Sequence, residues 1–246
     1  MKNIFISGIT GKVGKLLTDK ILNDNFFHLT GGSCNENNNF LGSDVGDLVN
    51  QENLNIFITK DIPSKAEIDI IIDFSSPHAS NLALQEALNR KIPILIGTTG
   101  LNEEQLKEID SASQEIPILL APNTSSGVAV LKFLINSSSN LFSEEHSFYL
   151  KETHHTEKKD SPSGTAIDLQ NHIKKIFPSS DIAIESFREG TNPGEHTIRI
   201  NFEGEHIELT HRAEDRSIFA IGAIKGAKWL FSKPIGLYHM EDIYSS

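Results

Sequence analysis

The strongest constraint on this chain is a repeated alternation of short apolar runs with helical spacing. Ile4–Ser7, Ile68–Phe74, Ile92–Ile96 and Ile116–Leu120 are largely β-branched or aliphatic, without the polar alternation of a half-exposed strand. Such continuous runs suit strands buried on both faces, as in parallel sheets. The first is followed by Val13, Leu16, Leu17, Ile21 and Leu22 at helix spacing, and the second by a helix expected over His78–Asn89. The third leads to a helix capped by Asn102, with Leu106 and Ile109 inward. Phe26–Thr30 reads as one more strand, ending at Gly31 and Gly32. Strands alternating with helices predict an α/β fold built on a Rossmann-type parallel sheet with right-handed crossovers.

Small polar residues and glycines recur where these strands end, which is where open α/β sheets bind ligands. Gly8-Ile9-Thr10-Gly11-Lys12-Val13-Gly14 lies between strand and helix. It suits a tight turn with a pyrophosphate seated on the helix N-terminus. The spacing is G-x-x-G-x-x-G instead of G-x-G-x-x-G, so by itself the stretch equally fits a structural strand–helix turn. Gly97-Thr98-Thr99-Gly100 and Ala121-Pro122-Asn123-Thr124 end two further strands. An acid after the second strand normally binds the adenosine ribose. Here Ser33, Cys34, Asn35 and Glu36 follow it, and no Lys or Arg occurs between Lys20 and Lys60. Neither an obvious acid for the ribose nor an arginine for a 2′-phosphate stands in the expected place.

The character changes after Asn123. Ser126–Phe142 is expected to be an amphipathic helix, and His146–Thr153 a strand. A helix over Thr165–Phe177 and strands at Ile182–Phe187, His196–Phe202 and His206–Arg212 follow, the last two joined by Glu203-Gly204-Glu205. This block predicts an α+β domain with an open mixed sheet. A helical pattern returns from Ser217, and the tail Gly236–Tyr244 is expected to pack back on the first domain. The expected division is residues 1–124 with 217–246 as a dinucleotide-binding domain, and 125–216 as a substrate-binding and oligomerisation domain.

The loop delivered by the 146–153 strand carries the chemistry. Glu152-Thr-His154-His155-Thr-Glu-Lys158-Lys159-Asp160-Ser-Pro162-Ser163-Gly164-Thr165 sets two histidines and two lysines ahead of a helix start. Histidine exchanges protons near neutral pH, Lys158 can hold an anion or donate a proton, and a helix N-terminus binds carboxylate. A solvated loop would read the same way residue by residue. The pattern as a whole points to a small acid that needs a proton during reaction. Lys and Arg total 22 against 33 Asp and Glu, a net charge of −11, which argues against nucleic-acid binding and sets this cationic loop apart. His154 and His155 would face opposite sides of an extended chain, and His172, His196, His206 and His211 lack metal-ligand spacing, so no metal is expected. The single Cys34 fits a reducing compartment. No apolar run suits a membrane span or a secretory signal, so the expected location is the cytoplasm.

Taken in order, these motifs resemble the 4-hydroxy-tetrahydrodipicolinate reductase family of the bacterial lysine pathway, formerly called dihydrodipicolinate reductases. The matching pieces are the Gly8–Gly14 turn, Asp73-Phe-Ser, Ile96-Gly97-Thr-Thr-Gly100, Ala121-Pro-Asn-Thr, the Glu152–Thr165 stretch, Arg188-Glu-Gly190, Gly194-Glu-His196 and Leu209-Thr-His211-Arg212-Ala. The resemblance spans nearly the whole chain. It implies an NADH- or NADPH-dependent reduction of hydroxylated tetrahydrodipicolinate with loss of water. It implies that Gly8, Ile9, Thr10, Gly11, Lys12 and Val13 cradle the pyrophosphate. Gly97, Thr98, Thr99, Ala121, Pro122, Asn123 and Thr124 would line the nicotinamide side. His154 would be the proton donor and Lys158 a second acid; His155, Gly164 and Thr165 would hold the carboxylates of a small dicarboxylate substrate. Closure of the domains about hinges near residues 124 and 216 is implied too, as is a homotetramer. The family's usual acid after the second strand aligns with Cys34, and the neighbouring basic residue with Asn35; with no cation there, NADH is expected to serve at least as well as NADPH. The segment between Gly190 and Gly194 is shorter than in many members. The alternatives are a cofactor-binding regulator, or a related two-domain reductase such as aspartate or homoserine dehydrogenase; the retained His154, Lys158, Gly164 and Thr165 argue against both.

Overall fold

The computed structural model describes residues 1–139 and 146–245. In chain order, β1 (Lys2–Ser7), α1 (Lys12–Leu22), β2 (Phe27–Ser33), α2 (Val45–Val49), β3 (Ile58–Thr59) and β4 (Ile70–Asp73) come first. Next are α3 (Pro77–Arg90), β5 (Ile94–Ile96), α4 (Glu103–Ala112) and β6 (Pro117–Leu120). Then come α5 (Ser126–Ser138), β7 (Ser147–His154), α6 (Gly164–Ile176), β8 (Ile182–Arg188), β9 (Glu195–Phe202) and β10 (Glu205–Arg212). Last are α7 (Ser217–Leu230), β11 (Gly236–Tyr238) and a 3₁₀ turn, Met240–Ile243. The helix expected over Ser126–Phe142 is described to Ser138, and residues 140–142 of that expectation lie outside the described residues. No described helix is long and apolar enough to cross a membrane.

The chain forms two compact units, one of Met1–Ser125 with Ser217–Ile243, the other of Ser126–Arg216 with the residues from Tyr244 on, so the end of the expected 217–246 segment groups with the second unit instead of the first. The first is the expected Rossmann-type sheet, parallel throughout, in the order β11-β6-β5-β4-β1-β2-β3. The β-branched runs lie inside it: Ile71, Ile94, Ile96 and Ile118 pack with Phe5 against Ala83, Leu84 and Ala87 of α3 and Ile109 of α4. Burying each such aliphatic side chain contributes roughly 1.5–3 kcal/mol. On α7 small residues face inward, and a Cβ on Gly226 would lie 2.7 Å from Leu119 Cδ2. The tail joins this unit as β11, which pairs with β6.

Two elements ahead of β4 escaped the sequence reading. α2 and β3 have only 5 and 2 residues, too short for periodicity to register. The buried Asp44 carboxylate organises them, accepting from Gly46 N at 2.7 Å, Leu54 N at 2.9 Å and Ile56 N at 3.0 Å. Cys34 N then donates to Thr59 O at 3.0 Å, tying the exit of β2 to that of β3.

The second unit is the expected open mixed sheet, order β10-β9-β7-β8, with β7 and β8 parallel and the other pairs antiparallel. One face is buried: Phe148, Leu150, Ile198 and Ile200 pack with Val128, Leu131 and Ile135 of α5 and Leu169 and Ile173 of α6.

The strand order of the first unit reverses between β1 and β4, and the glycine turn sits at that point. A Cβ on Gly14 would lie 2.3 Å from Gly8 O and 2.5 Å from Ile9 O, inside backbone atoms that cannot rotate away. At Gly164 no heavy atom lies within 4 Å of an added Cβ. Gly14→Ala is therefore expected to lower the unfolding free energy by about 1–3 kcal/mol. Gly164→Ala is expected to keep or raise it, by up to about 1 kcal/mol. Urea unfolding midpoints of the two variants check this, and equal losses would refute the packing account.

Candidate functional site

In the first unit, α1 starts at N-cap Gly11 with no side-chain cap and no acid in its first turn. The N-termini of α3, α4 and α6 are capped by Ser76, Asn102 and Ser163. The first-turn N–H groups of α1 are therefore left for an external anion, as a pyrophosphate requires. Gly8 makes the turn possible at φ 80°, and a Cβ there would lie 2.3 Å from Phe74 O. The residues present thus fit the phosphates of a dinucleotide.

Two cavities open beside this turn. One, about 410 Å³, is walled by Gly11, Lys12, Val13, Gly97, Thr98, Thr99, Pro122 and Thr124. The other, about 460 Å³, is walled by Gly8, Thr10, Gly11, Cys34, Asn35, Glu36 and Lys60 among others. Both have the volume of small-molecule sites. Ile9 and Ala121 are buried away from the walls, and Asn123 accepts from Ser125 N at 2.9 Å. The expectation that no cation stands near Glu36 rested on the 39-residue gap in Lys and Arg; the structure corrects it. Parallel pairing of β2 with β3 brings Lys60 Nζ to 2.6 Å from Glu36 Oε2.

The sequence marks Asp73 only as part of the Asp73-Phe-Ser stretch. It is fully buried at the end of β4 and accepts from the Ser75 hydroxyl at 2.5 Å and the Thr98 hydroxyl at 2.6 Å. Thr98 Oγ1 in turn accepts from Ser75 N at 2.9 Å. The signal was an acid inside an otherwise apolar strand, explicable only by a ring of donors.

In the second unit Glu152, fully buried near the end of β7, is the centre. One carboxylate oxygen contacts His154 Nδ1; the other accepts from Arg188 Nη1 at 2.9 Å and from Ser163 N at 3.3 Å. Burial pushes the Glu152 carboxyl up. The Ser186 hydroxyl (nearby but outside hydrogen-bond geometry), Arg188 and His154 outweigh it, holding the group below the ordinary carboxylate range. The carboxylate fixes His154 with Nδ1 as donor, leaving Nε2 outside that bond. A Cβ on Gly194 would lie 2.9 Å from that Nε2, so glycine at φ 154° leaves the nitrogen room. Burial lowers the pKa of His154, with Lys158 and Arg188 acting the same way against Glu152. The ring is thus a strong acid whenever it is protonated.

His196, 3% exposed, lies 5.1 Å centroid to centroid from His154. Its Nε2 is 3.2 Å from Ser163 Oγ, which also accepts from Ala166 N at 3.1 Å. Ser163 therefore caps α6 and donates to a neutral His196. Burial, with His154 and His211 alongside, drives the His196 pKa down to about 3. Glu152, His154 and His196 offer ligand atoms within 4.8 Å of one another. Both Glu152 oxygens are already engaged in hydrogen bonds. Sequence spacing missed His196 because β9 reaches β7 only through sheet pairing, Glu152 opposite His196.

Lys158 is half-buried and pairs with Asp160 at 2.8 Å. Lys158 foremost, and the N–H of Gly164 as well, hold the Asp160 carboxyl below its usual value. Lys158 is thus already paired with one carboxylate, four residues ahead of the start of α6 counted from Asp160. His155 is half-buried, its backbone N–H bonded to Asn192 O at 2.8 Å, and Gly164 and Thr165 form the first turn of α6.

Comparison with known proteins follows the same division. Models of the N-terminus and C-terminus of dihydrodipicolinate reductase match residues 2–124 and 127–244. A 4-hydroxy-tetrahydrodipicolinate reductase from Helicobacter hepaticus is 36% identical over 261 residues, 98% of this chain and 98% of the relative. Another, from Chromohalobacter salexigens, is 33% identical over 264 residues, 99% and 98% respectively. A solved dipicolinate-bound dihydrodipicolinate reductase from a Paenisporosarcina species shares the fold at TM-score 0.84 and 21% identity, covering 99% of each chain.

The buried histidines generate a stability prediction. A histidine whose folded pKa is depressed binds its proton more readily unfolded, so its contribution is full above the unfolded pKa near 6.5 and is lost as pH falls below it. His154, His196 and His211 are all depressed, burial being the largest cause for each. Between pH 6.5 and 4.5 the unfolding free energy is expected to drop, by up to ~1.4 kcal/mol per pH unit for each histidine. His196→Asn should reduce that slope by about one proton's worth. Denaturant titrations at several pH values measure it, and an unchanged slope would show that His196 is not held neutral by the fold.

Proposed function

Because the chain belongs to the dihydrodipicolinate reductase family, we propose that its first unit holds the nicotinamide cofactor and its second unit the substrate. The activity is NAD(P)H-dependent reduction of 4-hydroxy-tetrahydrodipicolinate to tetrahydrodipicolinate with loss of water, in diaminopimelate and lysine biosynthesis. One observation carries the residue assignment: a single loop gathers a carboxylate-held histidine, a lysine and a helix start.

The bound cofactor supplies the hydride. The chain's own residues manage the charge that reduction leaves on the substrate ring. His154, held through Nδ1 by Glu152, presents Nε2 as proton donor. Lys158 exchanges the Asp160 carboxylate for one of the substrate's and serves as second acid. Gly164 N and Thr165 N hold a carboxylate at the start of α6, and His155 the other. In the first unit the α1 start holds the pyrophosphate. Thr98, braced by Asp73, keeps the wall of the 410 Å³ cavity in place beside Gly97, Thr99 and Pro122. Either NADH or NADPH is the proposed cofactor. The proposed compartment is the cytoplasm, in keeping with the buried, unbridged Cys34.

The proposed assembly is a homotetramer formed through the open face of the β10-β9-β7-β8 sheet. Cross-strand pairs already order that face: Thr197 with Thr210 at 2.9 Å, Arg199 with Glu208 at 2.6 Å, Tyr149 with Glu185, and Lys151 over the Phe187 ring at 5.1 Å. An ordered face loses little side-chain entropy on association. Light scattering on the purified protein should give four times the chain mass; a monomer at micromolar concentration would reject the assembly.

Loss of NADH absorbance tests the reaction, with substrate made in situ from pyruvate and aspartate semialdehyde by the preceding enzyme. Protein-dependent oxidation is expected. Lys158→Ala should lower kcat by at least about 100-fold while NADH binding persists. Unchanged turnover would remove Lys158 from the mechanism, and no oxidation by folded protein would shift the reading to a cofactor-binding regulator.

A further inference from the structure

The 460 Å³ cavity ends at an ion pair that neither the glycine turn nor the reaction explains. Glu36 stands three residues beyond β2, in the region where dinucleotide folds place the acid that accepts from the ribose 2′-hydroxyl. Lys60 directly follows β3. Ser33 pairs with Thr59, and Cys34 N donates to Thr59 O at 3.0 Å, so the two strand exits are stitched together. The ion pair closes at 2.6 Å with side chains 57% and 58% exposed. Asn38 Nδ2 donates to Thr10 Oγ1 at 3.1 Å, tying the loop that carries Glu36 back to the glycine turn.

We propose that Glu36 and Lys60 form a two-way ribose reader, Glu36 accepting from a 2′-hydroxyl and Lys60 turning to a 2′-phosphate, so that both cofactor types bind. The inference rests on the first unit being the dinucleotide-binding one. A lone carboxylate here would repel a phosphate, and a lone ammonium would favour it. The pair does neither outright, because an exposed ion pair is held weakly and opens readily for a stronger partner. A phosphate offers Lys60 a charge-assisted bond to a dianionic group, stronger than its bond to Glu36. Asp61, the next residue, is the other acid lining this end, and it limits how far NADPH can be preferred. The cation arrives from a strand that the sequence between Lys20 and Lys60 does not announce.

The test is calorimetric binding to the full chain of 5′-AMP and of adenosine 2′,5′-bisphosphate, which differ in the 2′-phosphate and lack nicotinamide. The wild type should bind both, within about tenfold of each other. Lys60→Ala should weaken the bisphosphate about tenfold or more and leave AMP within about twofold. Glu36→Gln should do the reverse, weakening AMP and sparing or tightening the bisphosphate. Equal effects of Lys60→Ala on both ligands, or on neither, would overturn the reader while AMP binding upheld the dinucleotide unit. Failure of the folded wild type to bind either ligand would overturn both.

Discussion

The second unit depends on one buried charge. Glu152 has no exposed surface, and an isolated carboxylate in such a place is far too costly to exist ionised. It persists because three groups donate to it, from the end of its own strand, the start of α6 and the end of β8. Removing one partner of such a buried arrangement typically costs about 3–5 kcal/mol. The same need that stabilises the fold therefore holds His154 in one tautomer and sets the α6 N-terminus beside the Lys158 loop. Arg188 adds a second tie, its Nη2 reaching Asp160 O at 2.5 Å. Structure and chemistry share these atoms.

The first unit repeats the device. Asp73 is buried at the end of β4 and holds Ser75 and Thr98; Asp44 is buried in the loop before α2 and holds three backbone N–H groups. A chain of net charge −11 thus turns some of its acids inward as acceptors at places where irregular backbone must be rigid. Rigidity at strand ends matters because ligand sites of open α/β sheets lie there, and a wall that moves loses alignment with the ligand. Helix capping completes the pattern. Ser76, Asn102 and Ser163 each cap their own helix, while the start of α1 has no side-chain cap.

Most of the architecture was legible because its signals are local. β-Branched runs buried on both faces, helix spacing between them and glycine at the first turn gave the Rossmann-type sheet and the mixed sheet after it. The His154–Thr165 stretch was legible because its groups adjoin one another in sequence. The 3.6 and 2.0 periodicities need several residues to register, which is why α2 and β3 passed unseen. His196 and Lys60 escaped for a different reason: each reaches its place through strand pairing, His196 opposite Glu152 and the Lys60 strand beside β2.

By itself, then, the sequence determined the fold class, the glycine turn between β1 and α1 and the residue types of the His154–Thr165 loop, since each follows from local backbone preference and side-chain chemistry. Only the tertiary structure decided which charges meet. Glu152 with Arg188, Asp73 with Thr98 and Glu36 with Lys60 lie 36, 25 and 24 residues apart. Coulomb and hydrogen-bond energies depend on distance in space and on burial. Neither is written in the order of residues until the sheet registers bring them together.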